Sequence, residues 1–273
     1  MHYQKINYPD NDKVWLECYI QDSGLKLGQD LVRPALVICP GGGYVYLSPR
    51  EAEPVALAYA AKGIQAFVLH YSLGWEVKGF QPLKEMDWAI GLIREHANDW
   101  YVDADKILAC GFSAGGHVAA SLATMYDQPE LADFLHNVLH VSPKEVRPDG
   151  LLLGYPVITS GPKAHRKSFE RLLGDRYDEL VKSVSLEKRV SSNTPKTFLW
   201  HTFSDGNVPV DNSLLFAESL KKAEVPFELH IFPNGNHGLG LGTKETDTKD
   251  GKHFEPEVYV WTELFKTWVE KNI

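Results

Sequence analysis

Short apolar runs alternate along the chain with longer segments in which apolar residues recur at helical spacing. A short apolar run bounded by glycine, proline or polar residues is typical of a buried strand, whereas apolar residues that recur every three or four positions indicate a helix. The runs predict strands at Val14–Ile20, Ala35–Pro40, Ile64–Tyr71, Lys106–Phe112, Gly150–Pro156, Lys196–Thr202 and Phe227–Pro233. We expect the first strand to be antiparallel and to lie near an edge of the sheet.

The segments between these runs predict the helices. They lie at Glu51–Lys62, Leu83–Trp100, His117–Met125, Asn212–Ala223 and Glu255–Glu270. Strands that alternate with helices in this way predict an α/β protein with a mostly parallel central sheet and helices on both faces. In such sheets ligands bind beyond the carboxyl ends of the strands, so the residues that follow each run are the candidates for a functional site.

One region interrupts the alternation. Residues 160–194 separate the fifth and sixth predicted strands and contain the stretch RKSFERLLGDRYDELVKSVSLEKRV. We predict a single α/β domain over residues 1–273, with residues 160–194 inserted as a small helical cap above the site; a plain long crossover is the alternative. The polar stretch Gly242–Lys252 is predicted to be a mobile surface loop.

Composition narrows the class of protein only slightly. The chain has 273 residues, of which 44% are hydrophobic and 23% charged, and its formal net charge is −8. These values are typical of a globular protein, and the negative charge argues against nucleic acid as a partner. The three cysteines lie in apolar runs, which predicts reduced, buried thiols. The first residues do not resemble a signal peptide and no apolar run could span a bilayer, so we expect a cytoplasmic protein without a membrane partner.

The stretch Gly111-Phe112-Ser113-Ala114-Gly115 matches the pattern G-x-S-x-G and lies between a predicted strand and a predicted helix. In this pattern the serine occupies a sharp turn whose close approaches leave no room for side chains at the flanking glycines. The turn exposes the serine hydroxyl above the sheet and directs the next backbone N–H toward a developing oxyanion. Ser113 is therefore the candidate nucleophile; a simple glycine-rich strand-to-helix turn is the alternative.

A nucleophilic serine requires a base, and the base requires a group that orients it. Asp205 follows the sixth predicted strand and His237 follows the seventh, so both lie beyond strand ends and in the order Ser, Asp, His. His201 lies within a strand end and is interpreted as a supporting residue. His136 and His140 are four residues apart, but no cysteine or carboxylate cluster accompanies them, so we expect neither a metal nor another cofactor.

The loop after the second predicted strand reads Pro40-Gly41-Gly42-Gly43-Tyr44. Its glycines allow the backbone to approach a substrate carbonyl closely and to turn N–H groups inward. Gly42 and Gly43 are therefore the candidate oxyanion donors together with Ala114, against the alternative of an ordinary glycine-rich turn.

Other polar and aromatic residues near the predicted strand ends have two interpretations each. Glu51 and Glu53 could contact a polar substrate or hold the glycine loop, or they could simply be acidic residues in the first turn of a helix. Tyr44, Tyr71 and Trp75 are the candidate substrate-binding residues, with packing at the rim as the alternative.

Together these motifs resemble those of the α/β-hydrolase superfamily. Within it the chain is most similar to hormone-sensitive-lipase-like and acetyl-xylan-esterase-like carboxylesterases, and the stretch Pro40–Gly74 resembles that of small bacterial esterases. Pro40 stands where hormone-sensitive-lipase-like proteins usually have a histidine, which places the chain nearer the acetyl-esterase-like branch. The resemblance implies an α/β-hydrolase fold and a serine esterase acting on small acetyl esters of sugars or xylo-oligosaccharides. A homodimer is one assembly found among such relatives.

The residues alone leave two further functions open. The same Ser113, Asp205 and His237 could hydrolyse an amide, as in arylformamidase-like or peptidase-like relatives. A receptor with a hydrolase fold and no activity is the other alternative, although such receptors typically lose the serine or the histidine.

Overall fold

The computed structural model describes residues 1–9, 11–24, 28, 30–73 and 80–273. Eight strands within these ranges form one sheet in the order β1-β2-β4-β3-β5-β6-β7-β8. They are β1 (His2–Tyr8), β2 (Asn11–Ile20), β3 (Arg33–Cys39), β4 (Gln65–His70), β5 (Val102–Phe112), β6 (Gly150–Gly154), β7 (Thr197–Thr202) and β8 (Phe227–Phe232). β1 and β2 pair antiparallel, β2 also runs antiparallel to β4, and all other neighbours are parallel. The predicted mostly parallel sheet is confirmed.

Helices cover both faces of the sheet. In the described ranges they are α1 (Glu53–Ala60), α2 (Gln81–Glu95), α3 (Ser113–Met125), α4 (Pro129–Phe134), α5 (Pro143–Val146), α6 (Arg166–Leu173), α7 (Tyr177–Leu180), α8 (Asp211–Lys222) and α9 (Trp261–Asn272). One hydrophobic cluster packs α2, α3 and α8 on one face, and a second packs α1 and α9 on the other. Along β3 the side chains alternate between the two clusters, with Val37 in the first and Leu36 in the second.

The sequence pattern missed one strand and two short helices. No residue of β1 is fully buried. Only Ile6 and Tyr8 pack partly against the core, and two such positions are too few for the alternation to be recognised. α4 and α5 have only a few residues each and are joined through a π-helical turn at Leu135–Leu139. Elements this short carry too little periodicity to be recognised.

Residues 160–194 lie between β6 and β7 and contain α6 and α7. One side of this segment is apolar and joins the core through Phe169, Leu172 and Leu186. Its entry is fixed by the buried side chain of Asn212 on α8, whose Oδ1 accepts hydrogen bonds from the backbone N–H groups of Ile158 (2.9 Å) and Thr159 (3.1 Å). Residues 160–194, called the inserted segment below, are therefore packed on the hydrophobic core and bound at their root.

The stretch Gly242–Lys252 is more ordered than a plain surface loop. Thr246 is fully buried within it, and its hydroxyl donates to the carbonyl of Leu239 at 3.0 Å. The backbone also closes on itself, because the N–H of Glu255 donates to the carbonyl of Gly242. This stretch packs against the segment that follows β8, a tertiary contact that its polar composition conceals.

The three cysteines are free and buried, as predicted. None of the described helices is both long enough and apolar enough to cross a bilayer.

Asp87 on α2 carries a buried carboxyl group that makes no hydrogen bond among the described residues. It is fully buried, and neither side-chain oxygen has a hydrogen-bond partner among the described residues. Burial raises the pKa of Asp87 well above its usual value, and the charge of Lys84 only partly opposes this. The folded state therefore binds a proton more tightly than the unfolded state does, and the free energy of unfolding falls as the pH rises above the ordinary pKa of aspartate.

We expect Asp87→Asn to stabilise the protein at pH 8 by about 1–3 kcal/mol, because an amide avoids the cost of ionising a buried carboxyl group. The gain should shrink as the pH approaches 4, where the carboxyl is protonated in the folded state and about half protonated in the unfolded state. Urea unfolding at several pH values measures the difference. Asp175→Asn, at an exposed position, is the matched control and should change little. An equal gain at pH 4 and pH 8 would contradict the explanation.

Candidate active site

Ser113 occupies a strained turn between β5 and α3. Its φ is +54°, in the left-handed region that few residues other than glycine adopt. A Cβ at Gly115 would lie 2.0 Å from the carbonyl oxygen of Cys39, and one at Gly111 would lie 2.2 Å from the carbonyl oxygen of Gly115. Both glycines are therefore required by the close approach of α3 to the neighbouring backbone, as the G-x-S-x-G pattern predicts.

The structure brings the three residues of the predicted triad into contact. His237 Nε2 lies 2.7 Å from Ser113 Oγ, and His237 Nδ1 lies 2.6 Å from Asp205 Oδ2. Ser113 follows β5, Asp205 follows β7 and His237 follows β8, so the parallel strands deliver all three side chains to the same edge of the sheet. The imidazole thus has the serine hydroxyl on one nitrogen and the carboxylate on the other, as proton transfer from serine requires.

Asp205 is held as a carboxylate by several donors. Its Oδ1 accepts the backbone N–H groups of Asn207 (2.9 Å) and Val208 (3.0 Å), and its Oδ2 lies 3.3 Å from His201 Nε2. Burial alone would raise the pKa of Asp205, but the hydrogen bonds from His201 and His237 hold it well below its usual range. An ionised Asp205 keeps the proton of His237 on Nδ1 and leaves Nε2 free to accept the serine proton.

His201 supports this arrangement from inside the fold, as its position in the strand end suggested. Its Nε2 is 3.0 Å from the carbonyl of Val208, which can only accept, so Nε2 carries the proton that also faces Asp205. Its Nδ1 consequently accepts the hydroxyl of Ser213 at 2.8 Å. His201 is fully buried and does not contact Ser113 or His237 among the hydrogen bonds described.

The glycine loop after β3 lies beside Ser113. Gly42 and Gly43 have φ of +127° and +62° and line the cleft with the serine, and a Cβ at Gly42 would lie 1.9 Å from the carbonyl oxygen of Tyr46. The N–H of Gly41 donates to Glu51 and is not available to a ligand. Ala114 lies in the first turn of α3, where backbone N–H groups have no partner within the helix.

Glu51 joins three loops of the site. Its Oε2 accepts the N–H of Gly41 and its Oε1 accepts the hydroxyl of Tyr155, both at 2.7 Å. The hydroxyl of Tyr155 in turn accepts the N–H of Gly240 at 2.8 Å, three residues after His237. We call Glu51, Tyr155 and their two backbone partners the Glu51 clasp. Of the two functional interpretations of this glutamate, the structure supports the one in which it holds the glycine loop.

Tyr155 was not predicted as a site residue. It follows β6 directly, and its φ of +36° places the ring against His237 with the ring centroids 5.1 Å apart. In the sequence, Tyr155 stands at the end of a predicted strand, and this is the feature that could have indicated its role. Tyr71 stands at the end of another predicted strand in the same way.

The cleft above Ser113 encloses about 270 Å³. Its walls are small or polar and contain no aliphatic side chain among the described residues. They comprise Gly42, Gly43, Tyr46, Ser48, Arg50, Glu51, Ser113, His165, Arg171, Asn207, His237, Gly238 and His253. Arg171 and His165 come from the inserted segment, and Arg171 Nη1 donates to the carbonyl of Gly43 at 3.2 Å. Sequence reasoning missed most of this wall, because the residues come from separate loops without a shared motif.

The predicted substrate-binding aromatic residues need correction. Tyr44 and Tyr71 are each only 1% exposed, and neither lines the cleft. The hydroxyl of Tyr71 donates to the carbonyl of Pro40 at 2.6 Å, and that of Tyr44 lies 3.0 Å from Nδ1 of the buried His117. Both rings therefore support the glycine loop from behind. Trp75 lies outside the described residues.

The described residues contain no group of three or more histidine, cysteine, aspartate or glutamate side chains suited to a metal ion. His140 Nδ1 lies 3.1 Å from the backbone carbonyl of His136.

Comparisons with known proteins agree with the fold. Over 225 residues the chain is 39% identical to a Butyrivibrio fibrisolvens protein named endo-1,4-beta-xylanase B. This match covers 79% of this chain and 34% of that protein. Over 245 residues the chain is 29% identical to an acetylxylan esterase of Xylanibacter ruminicola. That match covers 87% of this chain and 46% of the relative. The chain therefore spans less than half the length of these two curated relatives.

A solved structure matches almost end to end. The acetyl ester-xyloside bifunctional hydrolase from Caldicellulosiruptor lactoaceticus superposes with a TM-score of 0.81 at 39% identity, and the match covers 98% of this chain and 96% of that one. The eight-stranded, mostly parallel sheet with its covering helices is that of an α/β hydrolase. The family model described as BD-FAE matches residues 25–220, and the chain belongs to this family.

Proposed function

We propose that the protein is a serine carboxylesterase that removes short acyl groups, above all acetyl, from sugars or xylo-oligosaccharides. The observation that carries the proposal is the hydrogen-bonded series Ser113–His237–Asp205 at the floor of a small polar cleft. The relatives named acetylxylan esterase and acetyl ester-xyloside hydrolase support the same substrate class.

The reaction proceeds through an acyl-enzyme. Ser113 Oγ attacks the ester carbonyl carbon while its proton passes to His237 Nε2, which gives a tetrahedral oxyanion. The N–H groups of Gly42, Gly43 and Ala114 donate to that oxyanion. The carbon–oxygen bond to the alcohol then breaks, and His237 gives its proton to the departing alcohol oxygen. Water, deprotonated by His237, attacks the acyl carbon and releases the acid and free Ser113.

The dimensions of the cleft favour a small acyl group and a polar alcohol. A space of about 270 Å³ with polar walls accommodates an acetyl group and one sugar ring better than a long alkyl chain. The proposal includes a small-molecule substrate and no nucleic acid or membrane partner. A cytoplasmic location suits oligosaccharides that are deacetylated after import, and a homodimer is the assembly to test first.

The acyl preference tests the proposal directly. We expect kcat/KM for p-nitrophenyl esters to fall by at least 10-fold between acetate and octanoate, because each extra methylene lacks an apolar pocket. Acetylated xylo-oligosaccharides should release acetate, and an organophosphonate should label Ser113. A preference for octanoate would contradict the short-acyl proposal, faster turnover of an aryl formamide would favour an amidase, and an unlabelled, inactive protein would favour a receptor.

A further inference from the structure

We propose that Arg50 forms a carboxylate-binding subsite beside His237, so that the preferred substrates are acyl esters of acidic sugars, with the carboxylate carried by the alcohol part. This inference rests on the proposed function and names the substrate class of the same site.

Arg50 lies in the wall of the cleft without a partner. Its Nε is buried and has no hydrogen-bond partner, and no ion pair joins its guanidinium to a carboxylate among the described residues. A guanidinium group carries five N–H donors, and a buried donor such as Nε is costly to leave unpaired. The side chain therefore offers unused donors at a place that a ligand can reach.

The carboxylates nearby are occupied by other donors. Glu51, the next residue, accepts from Gly41 and Tyr155. Asp205 accepts two backbone N–H groups and the imidazole of His237. The oxygens of both carboxylates accept hydrogen bonds from other groups, and no ion pair joins either of them to Arg50 among the described residues. The acceptor that best complements the guanidinium is therefore one that the ligand brings.

The position of Arg50 assigns the subsite to the alcohol part of the ester. A Cβ at Gly238 would lie 3.4 Å from Arg50 Nη2, 3.8 Å from Glu51 Oε1 and 4.0 Å from His253 Nε2, so these three side chains flank the residue next to His237. His237 donates its proton to the departing alcohol oxygen. The alcohol must therefore lie close to His237, against this wall. The acyl group, bonded to Ser113, points elsewhere.

Arg50 is the charged donor in this part of the cleft. Burial and the neighbouring charge of Arg50 lower the pKa of His253, so the imidazole is neutral at pH 7. A neutral imidazole can form a hydrogen bond with a hydroxyl group. Arg171, the other guanidinium in the wall, is tied to the glycine loop through the carbonyl of Gly43. A fork of N–H donors beside a neutral imidazole matches a sugar that carries a carboxylate next to hydroxyl groups.

The test compares two substrates that differ only in charge: acetylated glucuronic acid and acetylated glucuronamide. We expect wild-type kcat/KM, measured by acetate release, to favour the acid by about 10- to 100-fold, the range of a hydrogen bond to a charged group. Arg50→Gln should bring this ratio close to one through loss on the acid alone, and Arg50→Lys should retain part of the preference. Arg176→Gln, an exposed arginine paired with Glu179, is the matched control and should keep the wild-type ratio.

Free glucuronate and glucuronamide provide a second measurement as inhibitors of p-nitrophenyl acetate hydrolysis. Glucuronate should inhibit the wild type more strongly than glucuronamide does, and Arg50→Gln should remove the difference.

A wild-type ratio of kcat/KM for acid over amide that is near one, or an equal loss on both substrates in Arg50→Gln, would overturn the subsite and leave Arg50 a structural residue. If p-nitrophenyl acetate is hydrolysed but neither sugar ester is, the subsite fails and the esterase proposal stands. If no ester is hydrolysed, the proposed function itself fails.

Discussion

Replacing Ser113 with alanine should lower kcat for acetyl esters by about 10⁴- to 10⁶-fold, as loss of the nucleophile does in other serine hydrolases. The oxyanion donors and the cleft remain in the variant, so substrate should still bind. Acetate release under single-turnover conditions measures the residual rate, and binding of a non-hydrolysable substrate analogue measures affinity. His237→Ala should produce a loss of similar size, and combining the two changes should add little. Independent, additive losses would show that the residues do not act as one unit.

The same position stores backbone strain, which a matched pair of variants can reveal. Alanine keeps the side-chain clash that opposes the φ of +54°, whereas glycine removes it. We therefore expect Ser113→Gly to be more stable than Ser113→Ala by about 1 kcal/mol, the cost of placing a residue with a Cβ in the left-handed region. Both variants should be inactive. If the glycine variant unfolds at a lower urea concentration, the turn holds no such strain.

Glu51→Ala should have the second largest effect, through the Glu51 clasp. It leaves the N–H of Gly41 and the hydroxyl proton of Tyr155 without an acceptor in the interior, and we expect a loss of about 3–5 kcal/mol of stability. Because the glycine loop is then free to move, kcat should fall by about 10²- to 10³-fold, the range seen when one oxyanion donor is lost. KM should change much less, since Glu51 holds the glycine loop and its side-chain oxygens are occupied by protein donors.

Two further variants separate the parts of the clasp. Glu51→Gln keeps one acceptor for Gly41 but loses the charge, and should retain more activity than the alanine variant. Tyr155→Phe removes the link to Gly240 and leaves the bond from Gly41 to Glu51 intact, so its kcat should lie between those of the wild type and Glu51→Ala. Thermal unfolding and steady-state kinetics measure both quantities. A rise in KM with kcat unchanged in Glu51→Gln would mean that this glutamate contacts substrate instead.

The elements that surround the site could be predicted because each has a local cause. Buried parallel strands such as β3 and β6 are continuous apolar runs, and the glycines beside Ser113 are fixed by close approaches that no other residue permits. Asp205 and His237 could be proposed because each follows a strand of a parallel sheet, so their sequence positions imply a shared edge. The mostly parallel α/β sheet predicted on these grounds is confirmed.

The remaining features depend on contacts between distant segments. Tyr44 and Tyr71 occupy the strand-end positions expected of substrate-binding residues, yet their hydroxyl groups find partners inside the protein and their rings are buried. Arg171 reaches the cleft only because α6 packs its apolar side on the core. A local pattern predicts whether a side chain can be buried, but its partner is decided by how the elements assemble.

The inserted segment at residues 160–194 has a consequence for how the substrate range could change. It supplies His165 and Arg171 to the cleft, whereas the hydrogen bonds among Ser113, Asp205 and His237 are made entirely outside it. The molecule thus separates the reacting groups, which the sheet holds in place, from part of the wall that meets the substrate. Exchange of the insertion between related proteins is therefore a route to new specificity that leaves the chemical step in place, provided that the contacts with Asn212 at its root are kept.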